Sequence, residues 1–127
     1  MSHPFADKTA TVTTIVDKTN TAIAAGSGNL DVFATPMMVA LMERAACEVL
    51  RDALDEGQTS VGTFISVNHT AASPVGATIT ATATITSVSG RKVEFDLSAN
   101  DENHTIGDGK HTRVIVDSKR FMERLKN

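Results

Sequence analysis

The chain has 127 residues, enough for one domain, taken as 1–127, with a hydrophobic core of its own. Its 15 acidic and 12 basic residues leave a net charge of -3 without runs of one sign, so there is no basic patch for nucleic acid or an anionic membrane surface. One cysteine, Cys47, excludes an intrachain disulfide and any multi-cysteine metal site, and His3, His69, His104 and His111 lack the paired spacing of a zinc site, so no metal is expected.

In chain order, "KTATVTTIVD" reads as a strand, and "KTNTAIAAGSGNLDV" as a connection whose Gly-Ser-Gly marks mobility. The opening "MSHPFADKTA" has no apolar region of the signal-peptide kind, and every apolar stretch is interrupted well short of the roughly 18 residues needed to span a bilayer. A cytoplasmic enzyme or binding protein is therefore expected. Next, "FATPMMVALMERAACEVLRDALDEG" predicts one long helix, with Thr35 as its N-cap, Pro36 in the first turn and Gly57 past its end. At about 100° per residue, Arg44, Glu48, Arg51, Asp52 and Asp55 form a solvated side with Leu41 as its one apolar exception. Val39, Ala40, Ala46, Cys47, Leu50 and Leu54 surround Glu43, which places this carboxylate in the arc expected to be buried. A group so placed has to find a partner, take up a proton or face a cavity.

Past the helix the pattern changes to period two. "TSVGTFISVNHT" puts Val61, Thr63, Ile65, Val67 and His69 on one strand face, the core side. "ATITATATITSV" alternates Ile79, Ala81, Ala83 and Ile85 with threonines, and a Ser89-Gly90 turn leads into Val93, Phe95, Leu97 and Ala99. Gly107 and Gly109 in the last strand predict a bulge or a close backbone approach, and "SKRFMERLKN" a short terminal helix. The class is α+β: antiparallel strands that wrap around the helix, or a simpler layer of helix on sheet.

This order resembles the hot-dog fold, and "VFATPMMVALMERAA", "VGTFISVNHTAASPVG" and "GDGKHTRVIVDSKRF" resemble the thioesterase family related to fluoroacetyl-CoA thioesterase. The resemblance implies an antiparallel sheet wrapped around one long central helix, and hydrolysis of acyl-CoA or another acyl thioester. It also implies a homodimer or larger assembly with the site at a subunit interface, and no metal or redox cofactor, coenzyme A being part of the substrate. The family's catalytic Thr, Glu and His match Thr35, Glu43 and His69; Thr35 would orient the carboxylate, water or intermediate. Glu43 would act as base toward water or as nucleophile, and His69 would polarise the carbonyl or protonate the leaving sulfur. Gly62 matches a strand glycine whose amide lies near the thioester carbonyl, against the alternative of a bulge. Arg113 matches a basic residue of the last strand, against the alternative of a structural ion pair. The family's fluoroacetate-specific enzyme carries a phenylalanine-lined lid where this chain has "AAGSGNLDV", which points to a broader short or medium acyl group. Rival readings on the same fold are a non-catalytic acyl-CoA binding protein and a dehydratase or hydratase.

Overall fold

The computed structural model describes residues 8–126, so His3 and most of the opening segment lie outside the described residues. The elements run β1 (Thr9–Ile15), α1 (Ala22–Ala25), α2 (Thr35–Leu50), β2 (Gln58–His69), β3 (Thr78–Ser89), β4 (Lys92–Asn100), β5 (Thr105–Asp117) and α3 (Ser118–Arg124). The five strands form one antiparallel sheet in the order β1-β3-β4-β5-β2. The α+β class and the central helix agree with the sequence reading, as do the tight turn at Gly90 (φ 61°) and the terminal helix, capped by Asp117.

Alternation in β3 and β4 builds the floor of the core. Ile79, Ala81, Ala83 and Ile85 on one strand and Val93, Phe95, Leu97 and Ala99 on the next are all buried. The other face of β1 and β3 carries threonine pairs, with Thr9, Thr11 and Thr13 within hydrogen-bond distance of Thr84, Thr82 and Thr80. Small alanines in the middle of β3 let α2 approach, and the helix packs mainly on β3 and β1, with much less contact to β2. Its buried face is Met38, Leu41, Met42, Ala45, Ala46, Val49 and Leu50. Burial of a side chain the size of Met38 or Met42, both fully enclosed here, stabilises by about 1.5–3 kcal/mol.

This seating corrects the helical wheel. Leu41, assigned to the solvated side, is in the core, whereas Ala40 and Cys47 are exposed and Glu43 is half-exposed. Apolar residues run most of the way round α2, and within one chain the sheet covers the arc centred near Met42 rather than the arc centred on Glu43. The helix also ends earlier than the predicted span, at Leu50. Its N-cap is Ala34, with no side-chain capping bond, and Thr35 is the first helical residue with its hydroxyl engaged elsewhere. In the preceding connection the sequence reading missed α1, a single turn capped by the Thr21 side chain and closed by Gly26 at φ 70°.

A second correction concerns β2. Its pairing with β5 shifts between Gly62 and Phe64, a bulge that inserts Thr63 and reverses the phase of everything before it. Ile65, Val67 and His69 keep the predicted face, paired with His111, Gly109 and Gly107. Before the bulge that face is carried by Gly62 and Ser60, not by Thr63 and Val61. The glycines of β5 do mark close approach. A Cβ on Gly107 would lie 2.6 Å from Met38 Sδ and 2.8 Å from the Asn68 carbonyl oxygen, and one on Gly109 would overlap the Ser66 carbonyl. Gly107→Ala is therefore expected to lower stability by about 1–3 kcal/mol through overpacking against a backbone that cannot yield. Urea unfolding checks this, and an unchanged midpoint would refute the close packing.

Candidate active site

The first polar pair joins the start of α2 to the end of β2. Thr35 Oγ1 lies 2.7 Å from His69 Nδ1, a bond the wheel could not reveal because it crosses 34 positions of sequence. His69 is half-buried, and its Nε2, enclosed by the fold, has no hydrogen-bond partner among the described residues. A ring nitrogen left in that state costs stability, which structural histidines usually avoid. Burial lowers the pKa of His69, and the nearby backbone of Ala71 opposes that shift. Thr35 and His69 line a cavity of about 290 Å³, together with Ala22 of α1, Ser27 and Phe33 of the connection after it, and Ala71 and Ala72 of the loop after β2.

The second cluster forms one face of the β5–β2 ladder, beneath the flank of α2. Arg113 Nη1 donates to Glu43 Oε2 at 3.3 Å and lies 3.2 Å from His111 Nε2, while His111 Nε2 is 3.8 Å from the same carboxylate oxygen. The rest of the guanidinium is held by Ser60: Nε donates to Oγ at 2.8 Å and Nη2 to the carbonyl oxygen at 3.0 Å. Gly62 faces this cluster, since an added Cβ would stand 2.8 Å from Glu43 Oε2 and 3.2 Å from His111 Cε1. Of the two readings of Gly62 the bulge is present at this position, and the missing side chain makes room for the carboxylate. Of the two readings of Arg113 the ion pair is present, and it uses most of the guanidinium's donors.

Glu43 thus meets a partner and remains 39% exposed, instead of being enclosed in the core. Within one chain it is not joined to the Thr35–His69 pair. Eight residues of helix separate Glu43 from Thr35, about 12 Å of rise, and the strand from Gly62 to His69 spans about 20 Å. His111 is the member that sequence reasoning passed over. It is 1% exposed, and its burial lowers its pKa, the Phe64 carbonyl opposing and the Arg113 charge reinforcing that shift. Its signal was available: His111 shares strand phase with Arg113, Gly109 and Gly107. On the outer sheet face Lys110 is paired with Asp96. Among the described residues no three His, Cys, Asp or Glu side chains are grouped to hold a metal ion, and no helix is long and apolar enough to cross a membrane.

The fold coincides with that of known proteins. The crystal structure of a phenylalanine-to-alanine mutant of the fluoroacetyl-CoA-specific thioesterase FlK matches with a TM-score of 0.90 at 33% identity, over 98% of this chain and 97% of that one. A mutant of the same kind in complex with fluoroacetate and CoA matches at 0.85 and 35% identity, over 91% and 98% of the two chains. By fold and relatives the protein is a hot-dog thioesterase. The fluoroacetyl-CoA thioesterase of Streptantibioticus cattleyicolor is 42% identical over 96 residues, 76% of this chain and 69% of that protein, and the family described as FlK, fluoroacetyl-CoA-specific thioesterase, matches residues 16–119. The chain belongs to that family.

The two lowered histidines set a pH dependence of folding. Each binds its proton less readily in the folded chain than in the unfolded one, where the value is 6.5. The stability they contribute is complete above that value and is lost as the pH falls from it toward the folded values. Asp17 and Asp101, lowered from 3.8 by local hydrogen bonds, lose theirs only in stronger acid. The melting temperature should accordingly decline as the pH falls below about 6.5, and less steeply in His69→Gln. A flat profile below that pH in the wild type would contradict it.

Proposed function

We propose that the protein hydrolyses acyl-CoA thioesters as a homodimer or larger assembly, at a site composed of Thr35 and His69 from one copy and Glu43 from another. The observation that carries the proposal is the Thr35–His69 hydrogen bond on the wall of a cavity that no carboxylate lines among the described residues. Two features support the second copy. Strand β2 is a sheet edge, with Phe64 55% exposed, and the flank of α2 carrying Ala40, Glu43 and Cys47 is uncovered. Two such surfaces related by a two-fold axis bury one another, because an isologous contact sets the start of one helix against the later turns of its mate. That arrangement carries each Glu43 toward the partner's Thr35 and His69.

The chemistry needs only water and these side chains. Glu43 takes a proton from water as the oxygen attacks the thioester carbonyl, or adds to the carbonyl itself to give an anhydride that water then opens. The C–S bond breaks, and the departing sulfur receives a proton through His69. Thr35 fixes the imidazole, and the Gly62 amide is assigned to the oxyanion. No metal or redox cofactor enters, coenzyme A arriving with the substrate. A cavity walled by alanines and Ser27 suits a short or medium acyl group broader than fluoroacetyl. A cytoplasmic site of action belongs to the same proposal, supported by the free thiol of Cys47, which persists in a reducing compartment.

Free-thiol release from a panel of acyl-CoAs tests the activity. Thermal stabilisation without turnover would favour a binding protein, and products that retain the thioester a hydratase. Glu43→Gln should lower kcat by at least about a hundredfold with folding intact, and unchanged turnover would remove Glu43 from the mechanism. The composite site has a separate test, in which Glu43→Gln and His69→Ala chains are unfolded, mixed and refolded together. Random pairing should restore about a quarter of wild-type activity, since each heterodimer regains one intact site. Heterodimers that form and stay inactive would place all three residues in one chain.

A further inference from the structure

The geometry around Arg113 points to a residue the proposed mechanism does not yet use. We propose that His111 is a positioning residue for Glu43: its Nε2 lone pair holds the Arg113 guanidinium against the carboxylate, and a proton on that nitrogen undoes the arrangement. This inference rests on Glu43 being the catalytic carboxylate.

The tautomer follows from the partners. His111 Nδ1 is 2.8 Å from the Phe64 carbonyl oxygen, which can only accept, so Nδ1 carries the hydrogen and a neutral ring has its lone pair on Nε2. Arg113 Nη1 can only donate, and it stands 3.2 Å from that lone pair. With Nε and Nη2 held by Ser60, the Nη1 hydrogens are left to Glu43 and His111, so the guanidinium cannot rotate away from the carboxylate. The groups facing His111 are few. Arg113 is on its own strand and Glu43 comes from α2; β2 offers the Phe64 carbonyl and Gly62, and β4 the Phe95 ring at a centroid distance of 5.8 Å. Glu94 and Asp96 of β4 alternate to the opposite face.

A protonated His111 presents N–H to the N–H of Arg113 and a new cation to Glu43 Oε2, 3.8 Å away. Arg113 is then repelled and the carboxylate exchanges one cation for another, which moves it from its catalytic position. Burial resists that protonation, so the change falls on the acid side of the ordinary histidine range.

The test compares wild type with His111→Gln, whose amide oxygen can accept from Arg113 without titrating, and His111→Ala, which cannot accept. Acyl-CoA hydrolysis at neutral pH should fall about ten- to a hundredfold in His111→Ala, on the scale of a displaced catalytic group, and be largely rescued in His111→Gln. The inflection of the wild-type kcat profile at the pH where the His111 ring titrates should vanish in His111→Gln, leaving those of Glu43 and His69 in place. In parallel, the ¹³C resonance of the Glu43 carboxyl should step in the wild type at the pH where the His111 ring titrates, and not in His111→Gln. An inflection retained in His111→Gln at the pH where the wild-type His111 ring titrates, or no such step in the wild type, would overturn the proposal. If the wild type hydrolyses no acyl-CoA, the functional reading fails, and the carboxyl resonance alone decides whether His111 governs Glu43. Should His111→Ala fail to fold, His111→Gln and the resonance carry the decision.

Discussion

The off-centre seat of α2 on the sheet is the constraint from which the rest follows. Met38, Met42, Ala45 and Val49 need apolar cover, and β3 offers it on a strand whose central alanines allow close approach. The helix therefore lies over β1 and β3 and leaves the β5–β2 side of the sheet largely free. Polar side chains can occupy that side without displacing the core, and one flank of α2 stays open.

On the free side, packing and polar satisfaction divide the work. Gly107 and Gly109 bring the β5 backbone close to Met38 and to β2, which fixes where the neighbouring His111 and Arg113 project. Arg113 is an ion-pair partner whose donors are directed by Ser60, Glu43 and His111. A guanidinium with so many fixed bonds is rigid, and a rigid cation orients a half-exposed carboxylate better than a mobile lysine could. The Thr35–His69 pair lies at the other end of β2, where the fold encloses a ring nitrogen without giving it a partner.

Much of this was legible in the sequence. The strict alternation of "ATITATATITSV" and of Val93 to Ala99 marked the two central strands and their buried faces. The inward phase of His69 survived folding, and Glu43 was conspicuous among apolar neighbours. Three details were not legible. α1 is a single turn, too short for any periodicity. The bulge at Gly62 shifts the count by one residue without a distinctive sequence mark, so Val61 and Thr63 were assigned to the wrong face. Leu41 was misplaced because α2 is apolar around most of its circumference, and the wheel cannot tell which arc a sheet will cover.

By itself, then, the sequence determined the elements, their apolar faces and the residue types available for chemistry, because local periodicity and turn chemistry are properties of short segments. Tertiary structure alone decided which arc of α2 is buried, that Thr35 meets His69, and that Arg113 and His111 converge on Glu43. Those contacts join residues 34 to 70 positions apart, and their existence depends on strand register and helix placement, which are set by the packing of the whole core.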